Sequence, residues 1–285
     1  MRLKNKAVSP DAPIGVFDSG LGGLTVVREL RRRLPHERII YFGDIARLPY
    51  GIKSEKQIRD FSMENTEFLL RRHVKALVVA CNSSSSAAFS FLKAHYALPI
   101  VDVIQPAAES ASHMTRTKRI GVIATQATVA SGAYHRAVSK IDKRIRLFSM
   151  ACPLLVPFVE EGLLRGPLVE MVLKRYLAPL LRERIDTLIL GCTHYPMLRQ
   201  SIQKVAGPSV KLVDSAPAAV RELKEMLGKS GQIRKKSSQG RLQVFVSDLP
   251  SNFVNIGTRF LGERLKDIQV VRFKIEISRN GRWTL

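Results

Sequence analysis

Short apolar runs recur along the chain, and each is followed by glycine or by polar residues. Runs of this kind between turn residues are typical of strands that are buried on both faces. They predict strands over residues 14–17, 39–42, 76–80 and 99–104. Helices are predicted between them, from about residue 24, where Leu24, Val27 and Leu30 share one face, and over 54–72. Alternating strands and helices predict parallel sheets with right-handed crossovers.

The same pattern begins again near residue 120. Ile120 opens an Ile-Gly-Val strand like the one at Ile14, at an offset of 106 residues, and Cys192 follows its apolar strand as Cys81 does, at an offset of 111. Landmarks that recur in order at a nearly constant offset indicate a duplicated unit. We therefore predict an α/β protein of two similar parallel-sheet domains, related by a pseudo-twofold duplication, with the active site in the cleft between them.

The first domain is predicted to comprise residues 1–104 and 215–285, and the second to comprise 105–214. The chain after the second domain should return to the first. It is predicted to form a helix from 215 to about 227, a mobile loop rich in Gly, Ser and Lys over 228–240, a strand over 243–247, a helix over 253–261 and a final strand over 270–277.

The composition is that of a soluble globular protein, with 45% hydrophobic and 25% charged residues in a chain of 285. Three cysteines are an odd number, which argues against a disulfide framework and for a reduced, cytoplasmic protein. Residues 1–13 are polar and lack the apolar stretch of a signal peptide, and no run of about 18 apolar residues predicts a membrane span.

The formal net charge of +22 is the unusual feature of the composition. It suits an anionic substrate and permits binding to nucleic acid through generic basic charge. The basic residues are scattered, with short runs only at 31–33, 71–72 and 234–236, and no nucleic-acid module accompanies them. A solvated basic surface is therefore favoured, and a protein that binds nucleic acid or a nucleic-acid enzyme is kept as the alternative function.

The chemistry centres on two cysteines, Cys81 and Cys192, each placed just beyond a predicted strand. Open α/β sheets bind their ligands at the carboxyl ends of the strands. A thiolate can act as base on one face of a carbon while a thiol acts as acid on the other, so the pair suggests proton transfer at carbon with inversion and without a cofactor.

Cys152 lacks polar neighbours and is interpreted as structural. The Gly20-Leu21-Gly22-Gly23 loop lacks the lysine and the spacing of a nucleotide site.

Five ordered segments resemble the glutamate racemase family, and together they span most of the chain. They are FDSGLGG (17–23), LPYG (48–51), ACNS (80–83), PLLVPFVEEG (153–162) and GCTHYP (191–196). The resemblance implies a cofactor-independent racemase that supplies D-glutamate for peptidoglycan, expected as a homodimer. It also implies that Cys81 and Cys192 are the acid/base residues, with Asp18 near Cys81, and His194 and Glu160 near Cys192.

The resemblance further implies a set of substrate-binding residues, namely Asp18, Ser19, Tyr50, Gly51, Asn82, Ser83, Thr125, Thr128, Thr193 and His194. Ser83 stands where the family usually has threonine, so the hydroxyl is kept and a methyl group is lost. Glu161 is adjacent to Glu160, and the sequence leaves open which of them faces the cleft. A racemase of aspartate or of another amino acid remains the alternative enzyme.

Overall fold

The computed structural model describes residues 9–271, 276–277 and 283–284. Most of its strands lie in two parallel sheets. The first sheet contains β1 (Ile14–Asp18), β2 (Ile39–Gly43), β3 (Ala76–Val79), β4 (Ile100–Asp102), β9 (Leu242–Val246) and β10 (Ile268–Val270). The second sheet contains β5 (Arg119–Ala124), β6 (Arg146–Ala151), β7 (Thr187–Gly191) and β8 (Lys211–Asp214).

The predicted duplication is visible in the strand order. The first sheet runs β10-β9-β2-β1-β3-β4 and the second runs β6-β5-β7-β8, so the last four strands of the first sheet match the whole of the second. Ile14 of β1 is aligned with Ile39 and Ala76, and Ile120 of β5 is aligned with Leu147 and Thr187. The predicted fold of two parallel-sheet α/β units is confirmed. The residue bounds of the two domains stay a prediction.

Helices connect the strands and cover the sheets. They are α1 (Leu24–Arg33), α2 (Glu55–Leu70), α3 (Asn82–His95), α4 (Gln105–Met114), α5 (Gln126–Ala130), α6 (Ala133–Ile141), α7 (Leu155–Glu160), α8 (Pro167–Arg182), α9 (Arg199–Ala206), α10 (Ser215–Lys229) and α11 (Phe253–Leu261). Short 3-10 helices lie at Ile45–Arg47, Tyr50–Ile52 and Tyr195–Leu198. Among the described residues, none of the helices combines the length and the apolar character that a membrane crossing requires.

The predicted strand over 99–104 is shorter in the structure, because Asp102 ends it. The Asp102 carboxylate accepts hydrogen bonds from the backbone N–H groups of Ile104 and Gln105, at 3.0 and 3.3 Å. An aspartate in this position satisfies the first free N–H groups of a helix. The chain therefore leaves β4 at Asp102 and begins α4 three residues later, which the apolar run itself does not indicate.

The C-terminal part of the chain returns to the first sheet. Strand β9 pairs with β2, and β10 pairs with β9, both in parallel. The predicted final strand over 270–277 is wrong in its bounds: β10 ends at Val270, residues 272–275 lie outside the described residues, and β11 (Glu276–Ile277) pairs antiparallel with β12 (Trp283–Thr284).

The predicted loop over 228–240 begins within α10, has no regular structure after Lys229, and is attached to the first sheet at the amino ends of its strands. Arg234 donates its backbone N–H to Glu37 Oε1 at 2.8 Å, and Lys75 Nζ donates to the carbonyl of Gln232 at 2.7 Å. Glu37 precedes β2 and Lys75 precedes β3. The segment therefore lies at the end of the sheet opposite the carboxyl ends of the strands.

Candidate active site

A cavity of roughly 370 Å³ lies where the carboxyl ends of the two sheets face each other. Loops that follow β1, β3, β5 and β7 all contribute to its wall, as expected for open parallel sheets. It is lined by Ser19, Leu48, Pro49, Tyr50, Gly51, Ile52, Cys81, Asn82, Ser83, Thr125, Gln126, Pro153, Val156, Pro157, Glu160, Cys192, Thr193 and His194. All the residues predicted for the site are among them except Asp18 and Thr128.

Cys81 lies two residues beyond the end of β3 and directly before α3, so the end of the strand brings its thiol to the cavity. The thiol lies 3.5 Å from Ser19 Oγ. Burial and the nearby charge of Asp18 raise the pKa of Cys81 to about 11. Asp18 is fully buried behind the cavity wall, where its Oδ2 accepts the backbone N–H of Gly20 at 3.0 Å. Burial also raises the pKa of Asp18. Cys81 is thus a neutral thiol near pH 7.

Cys192 occupies the equivalent place after β7 and has a different neighbour. Its Sγ lies 3.9 Å from His194 Nδ1, and His194 Nε2 lies 3.1 Å from Glu160 Oε1. Burial alone would lower the pKa of His194, but the hydrogen bonds and charges of Cys192 and Glu160 outweigh it and raise the pKa to about 10. An imidazolium beside the sulfur stabilises negative charge on it. Glu160 lines the cavity and Glu161 is exposed, so Glu160 is the carboxylate paired with this histidine.

Glu160→Gln is expected to make activity more sensitive to alkaline pH. A histidine is protonated only below its pKa, and Glu160 helps to keep the pKa of His194 near 10. Without the carboxylate charge, His194 should lose its proton at a lower pH. The fall of kcat/KM on the alkaline side should therefore begin at a lower pH. A pH profile of kcat/KM reports groups of the free enzyme and tests this shift. Glu161→Gln, the same change at the exposed neighbour, should leave the profile as in the unchanged protein; an identical shift in both variants would contradict this pairing.

Hydroxyl groups form a chain from the first half of the fold to the second. Ser83 Oγ lies 3.0 Å from Thr125 Oγ1, and Thr125 Oγ1 donates to Thr128 Oγ1 at 3.0 Å. Thr125 also accepts the backbone N–H of Thr128, which fixes the start of α5. Thr128 is buried and lies behind Thr125, outside the cavity lining. Its contact with the site is therefore through Thr125.

The Tyr50 hydroxyl is held by a buried polar network that the sequence analysis did not identify. It donates to Asp44, which is fully buried, and accepts from Asn65 Nδ2 at 3.1 Å. Asp44 also accepts from Ser247 Oγ at 2.9 Å and from Arg47 Nε at 2.6 Å. The network fixes a residue of the cavity wall. Asp44 and Ser247 are 203 residues apart in the chain, and no local pattern links them.

Two glycines let loops of the first half lie directly against loops of the second. A Cβ on Gly22 would lie 2.1 Å from Thr193 Oγ1 and 2.7 Å from His194 Nδ1, and one on Gly51 would lie 2.8 Å from the Cβ of Thr125. The glycine loop after β1 is therefore packed on the polypeptide beside Cys192. This packing accounts for glycine at both positions.

Gly22→Ala is expected to lower kcat/KM by roughly a hundredfold, since displacing reactive groups by about 1 Å has costs of that order. The new methyl group must push Thr193 and His194 away. Gly228→Ala is the matched control, because Gly228 lies in α10 and its Cβ would meet only Ile233 at 3.7 Å. Steady-state kinetics on both variants test this, and normal kcat/KM in Gly22→Ala would contradict the close approach.

Several of the basic residues have acidic partners within the fold. Arg31 pairs with Glu263 at 2.7 Å, and Arg32 and Arg33 both pair with Glu29. Arg234 pairs with Asp11 at 3.3 Å, and its guanidinium also donates to the His36 carbonyl. Arg72, in the remaining run, donates to the Phe68 carbonyl at 3.0 Å. All three short basic runs thus contribute to local packing.

All three cysteines are free. Cys152 lies after β6, buried in the hydrophobic core and outside the cavity lining, where its carbonyl accepts the Tyr195 hydroxyl at 2.9 Å. Burial raises its pKa. These surroundings agree with its interpretation as a structural residue.

The comparisons with known proteins agree with this geometry. A family model described as Asp/Glu/Hydantoin racemase matches residues 22–223. The chain is 47% identical over 260 residues to a glutamate racemase of Syntrophus aciditrophicus, and the alignment covers 91% of this chain and 96% of that protein. It is 44% identical over 267 residues to a glutamate racemase of Geobacter metallireducens, and that alignment covers 94% of this chain and 99% of the relative.

A solved structure of glutamate racemase from Francisella tularensis, in complex with D-glutamate, superposes with a TM-score of 0.87 at 39% identity, covering 92% of this chain and 98% of that one. The paired α/β units and the cleft between them are thus those of an amino-acid racemase, which is an isomerase. Within that class, the chain belongs to the glutamate racemase family.

Proposed function

We propose that this protein interconverts L- and D-glutamate without a cofactor, with Cys81 and Cys192 as acid/base groups on opposite faces of the α carbon. The observation that carries the proposal is that equivalent strand ends of a duplicated fold bring these two thiols to one cavity. A group on each face is what inversion by proton removal and return requires. The similarity to glutamate racemases over almost the whole chain supports glutamate as the substrate.

The two thiols have different surroundings, which suits opposite roles. Cys81, with a pKa raised to about 11, is protonated near pH 7 and is ready to donate a proton. Cys192 lies beside the protonated His194, whose charge stabilises a thiolate that removes the α proton. In the reverse direction the roles exchange. Glu160 keeps the imidazolium in place through its bond to Nε2.

The negative charge that develops on the substrate during proton removal needs stabilisation. Helix α3 begins at Asn82 on the cavity wall, so the N–H groups of its first turn and its positive end face the site. We place the α-carboxylate there, because charge spreads onto it as the carbanion forms. Ser83, Thr125 and Thr193 supply hydroxyl groups for the remaining polar atoms of the substrate, with Thr128 acting from behind Thr125.

The change in optical rotation of L-glutamate, D-glutamate, L-aspartate and D-aspartate tests the substrate assignment. Both glutamate enantiomers should approach zero rotation without an added cofactor, and aspartate should react much more slowly. Faster reaction of aspartate would favour the alternative racemase.

The biological setting follows from the same proposal. D-Glutamate made by this reaction would be supplied to peptidoglycan synthesis, and we place the enzyme in the cytoplasm, where that precursor chemistry takes place. A homodimer remains our expectation, and the mass of the purified protein in solution by light scattering tests it. A monomeric mass would overturn that part of the proposal and leave the chemistry unaffected.

A further inference from the structure

Asn82 has a buried acceptor with no partner in the described structure. Its side chain is 2% exposed, it lines the cavity at the first position of α3, and its Oδ1 makes no hydrogen bond. A buried amide oxygen without a partner is unfavourable, and most such groups in native proteins are bonded. A polar group of a molecule in the cavity is a suitable donor for it.

The other end of the same amide is fixed from the opposite half of the fold. Asn82 Nδ2 donates to the hydroxyl of Tyr134 at 2.9 Å, and Tyr134 is itself 3% exposed. Tyr134 is the second residue of α6 and follows Gly132, whose φ of 64° lies in the left-handed region that favours glycine. The glycine lets the chain turn directly before α6, so the turn and the helix together place the phenol.

Tyr134 also touches the strand end that presents the second thiol. A Cβ on Gly191 would lie 3.1 Å from Tyr134 Cε2, so glycine directly before Cys192 leaves room for the ring. One side chain is thus in contact with the amide beside Cys81 and with the backbone beside Cys192. Nothing in the sequence marks it, because Tyr134 lies outside the five segments that resemble the family.

The direction of the Asn82–Tyr134 bond determines which kind of ligand group Asn82 can bind. The N–H₂ group is used by the phenol, and the carbonyl oxygen remains for the cavity. A carbonyl oxygen accepts hydrogen bonds and cannot donate them. Of the polar groups of an amino acid, the α-ammonium is a donor, whereas the carboxylates are acceptors.

We propose that Tyr134 is a positioning residue, which fixes the Asn82 amide so that its Oδ1 accepts a hydrogen bond from the α-ammonium group of the substrate. This inference rests on the proposed function, since it needs an amino acid in the cavity. The bond orients the α carbon between the two thiols. Because the ammonium group takes no part in the proton transfer, the bond is made in the ground state and in the transition state alike.

Tyr134→Phe tests the inference with two ligands, L-glutamate and glutarate, which lacks the ammonium group. Loss of the Tyr134 hydroxyl frees the Asn82 amide to turn. KM for L-glutamate should then rise about tenfold, as expected for the loss of one hydrogen bond to a charged group. The change in kcat should be much smaller, because the lost hydrogen bond stabilises the bound substrate and the transition state equally. The inhibition constant of glutarate against the racemase should change less than about twofold, since it makes no bond to Asn82 Oδ1.

Tyr96→Phe is the matched control. Tyr96 follows α3 at its far end, is also buried, and donates its hydroxyl to Glu67 Oε1 at 2.6 Å. The same atom is removed from a hydrogen-bonded tyrosine outside the cavity, so both constants should stay unchanged.

Equal weakening of L-glutamate and glutarate by Tyr134→Phe would overturn the assignment to the ammonium group. Unchanged constants for both ligands would overturn the positioning role of Tyr134. Asn82→Ala is a second route if Tyr134→Phe folds poorly, as judged by its circular dichroism: it should show the same selective loss, and Tyr134→Phe added to it should raise KM no further. Absence of glutamate turnover in the unchanged protein would be a failure of the proposed function, seen without any variant.

Discussion

Racemisation of glutamate is expected to fall by roughly a hundredfold to ten-thousandfold in both directions when Cys81 or Cys192 is replaced by alanine, which is the contribution of a positioned acid or base. Each variant keeps one thiol and thus loses proton transfer on one face of the α carbon. Because every turnover needs both faces, the loss should be similar from L- and from D-glutamate. Initial rates measured from each enantiomer test this.

Cys152→Ala is the matched control for both variants. Cys152 is also buried but lies outside the cavity. Its replacement should reduce stability modestly, by loss of core packing, and leave the rates within about twofold, since no acid or base is removed. Full activity in Cys81→Ala or in Cys192→Ala would show that the two-thiol mechanism is wrong.

Lys75→Met is expected to reduce the free energy of unfolding by about 3–5 kcal/mol, as found when one partner of a buried ion pair is removed. Lys75 Nζ lies 2.6 Å from Glu37 Oε2, and both side chains are 1% exposed. The ammonium also donates to the carbonyls of Pro10 and Gln232 at 2.7 Å. The variant leaves the Glu37 carboxylate buried without its cation, and chemical denaturation measures the loss.

Two further variants separate the ion pair from general effects of losing a lysine. Lys56→Met removes an exposed lysine that pairs with Asp60 at 2.7 Å, and it should change stability by less than about 1 kcal/mol. Glu37→Leu combined with Lys75→Met removes both buried charges and should recover much of the loss. A double variant as unstable as Lys75→Met with Glu37 intact would contradict this explanation.

The sequence contains most of the information about the fold because apolar strands and their repeat are local patterns. Ile14 and Ile120 begin equivalent strands, and the offset between Cys81 and Cys192 places both thiols at equivalent strand ends. The end of β4 does not follow from the apolar pattern, because a side chain, the carboxylate of Asp102, decides it rather than hydrophobicity. The end of β10 at Val270 is likewise not predictable, because no turn residue follows it directly in the sequence.

The site is less predictable where its parts are held by contacts between distant segments. Phe260 of α11 packs its ring against His194, with ring centres 5.1 Å apart, although 66 residues separate them. In the sequence, Phe260 has the pattern of a core residue in an ordinary amphipathic helix, and this pattern does not indicate its contact with His194. Gly22 gives a similar lesson, since no local pattern in the sequence shows that it makes room for Thr193, which lies in a distant segment.

The most direct test of the two-thiol proposal is the fate of the α hydrogen when L-glutamate is incubated with the protein in deuterated water and the reaction is stopped early. The two-thiol mechanism predicts that the D-glutamate formed carries deuterium at the α carbon, because its hydrogen comes from the opposite thiol. The remaining L-glutamate should keep its original hydrogen. Early D-glutamate that retains the original hydrogen, or L-glutamate that gains deuterium as fast as D-glutamate forms, would indicate a single base and contradict the proposal.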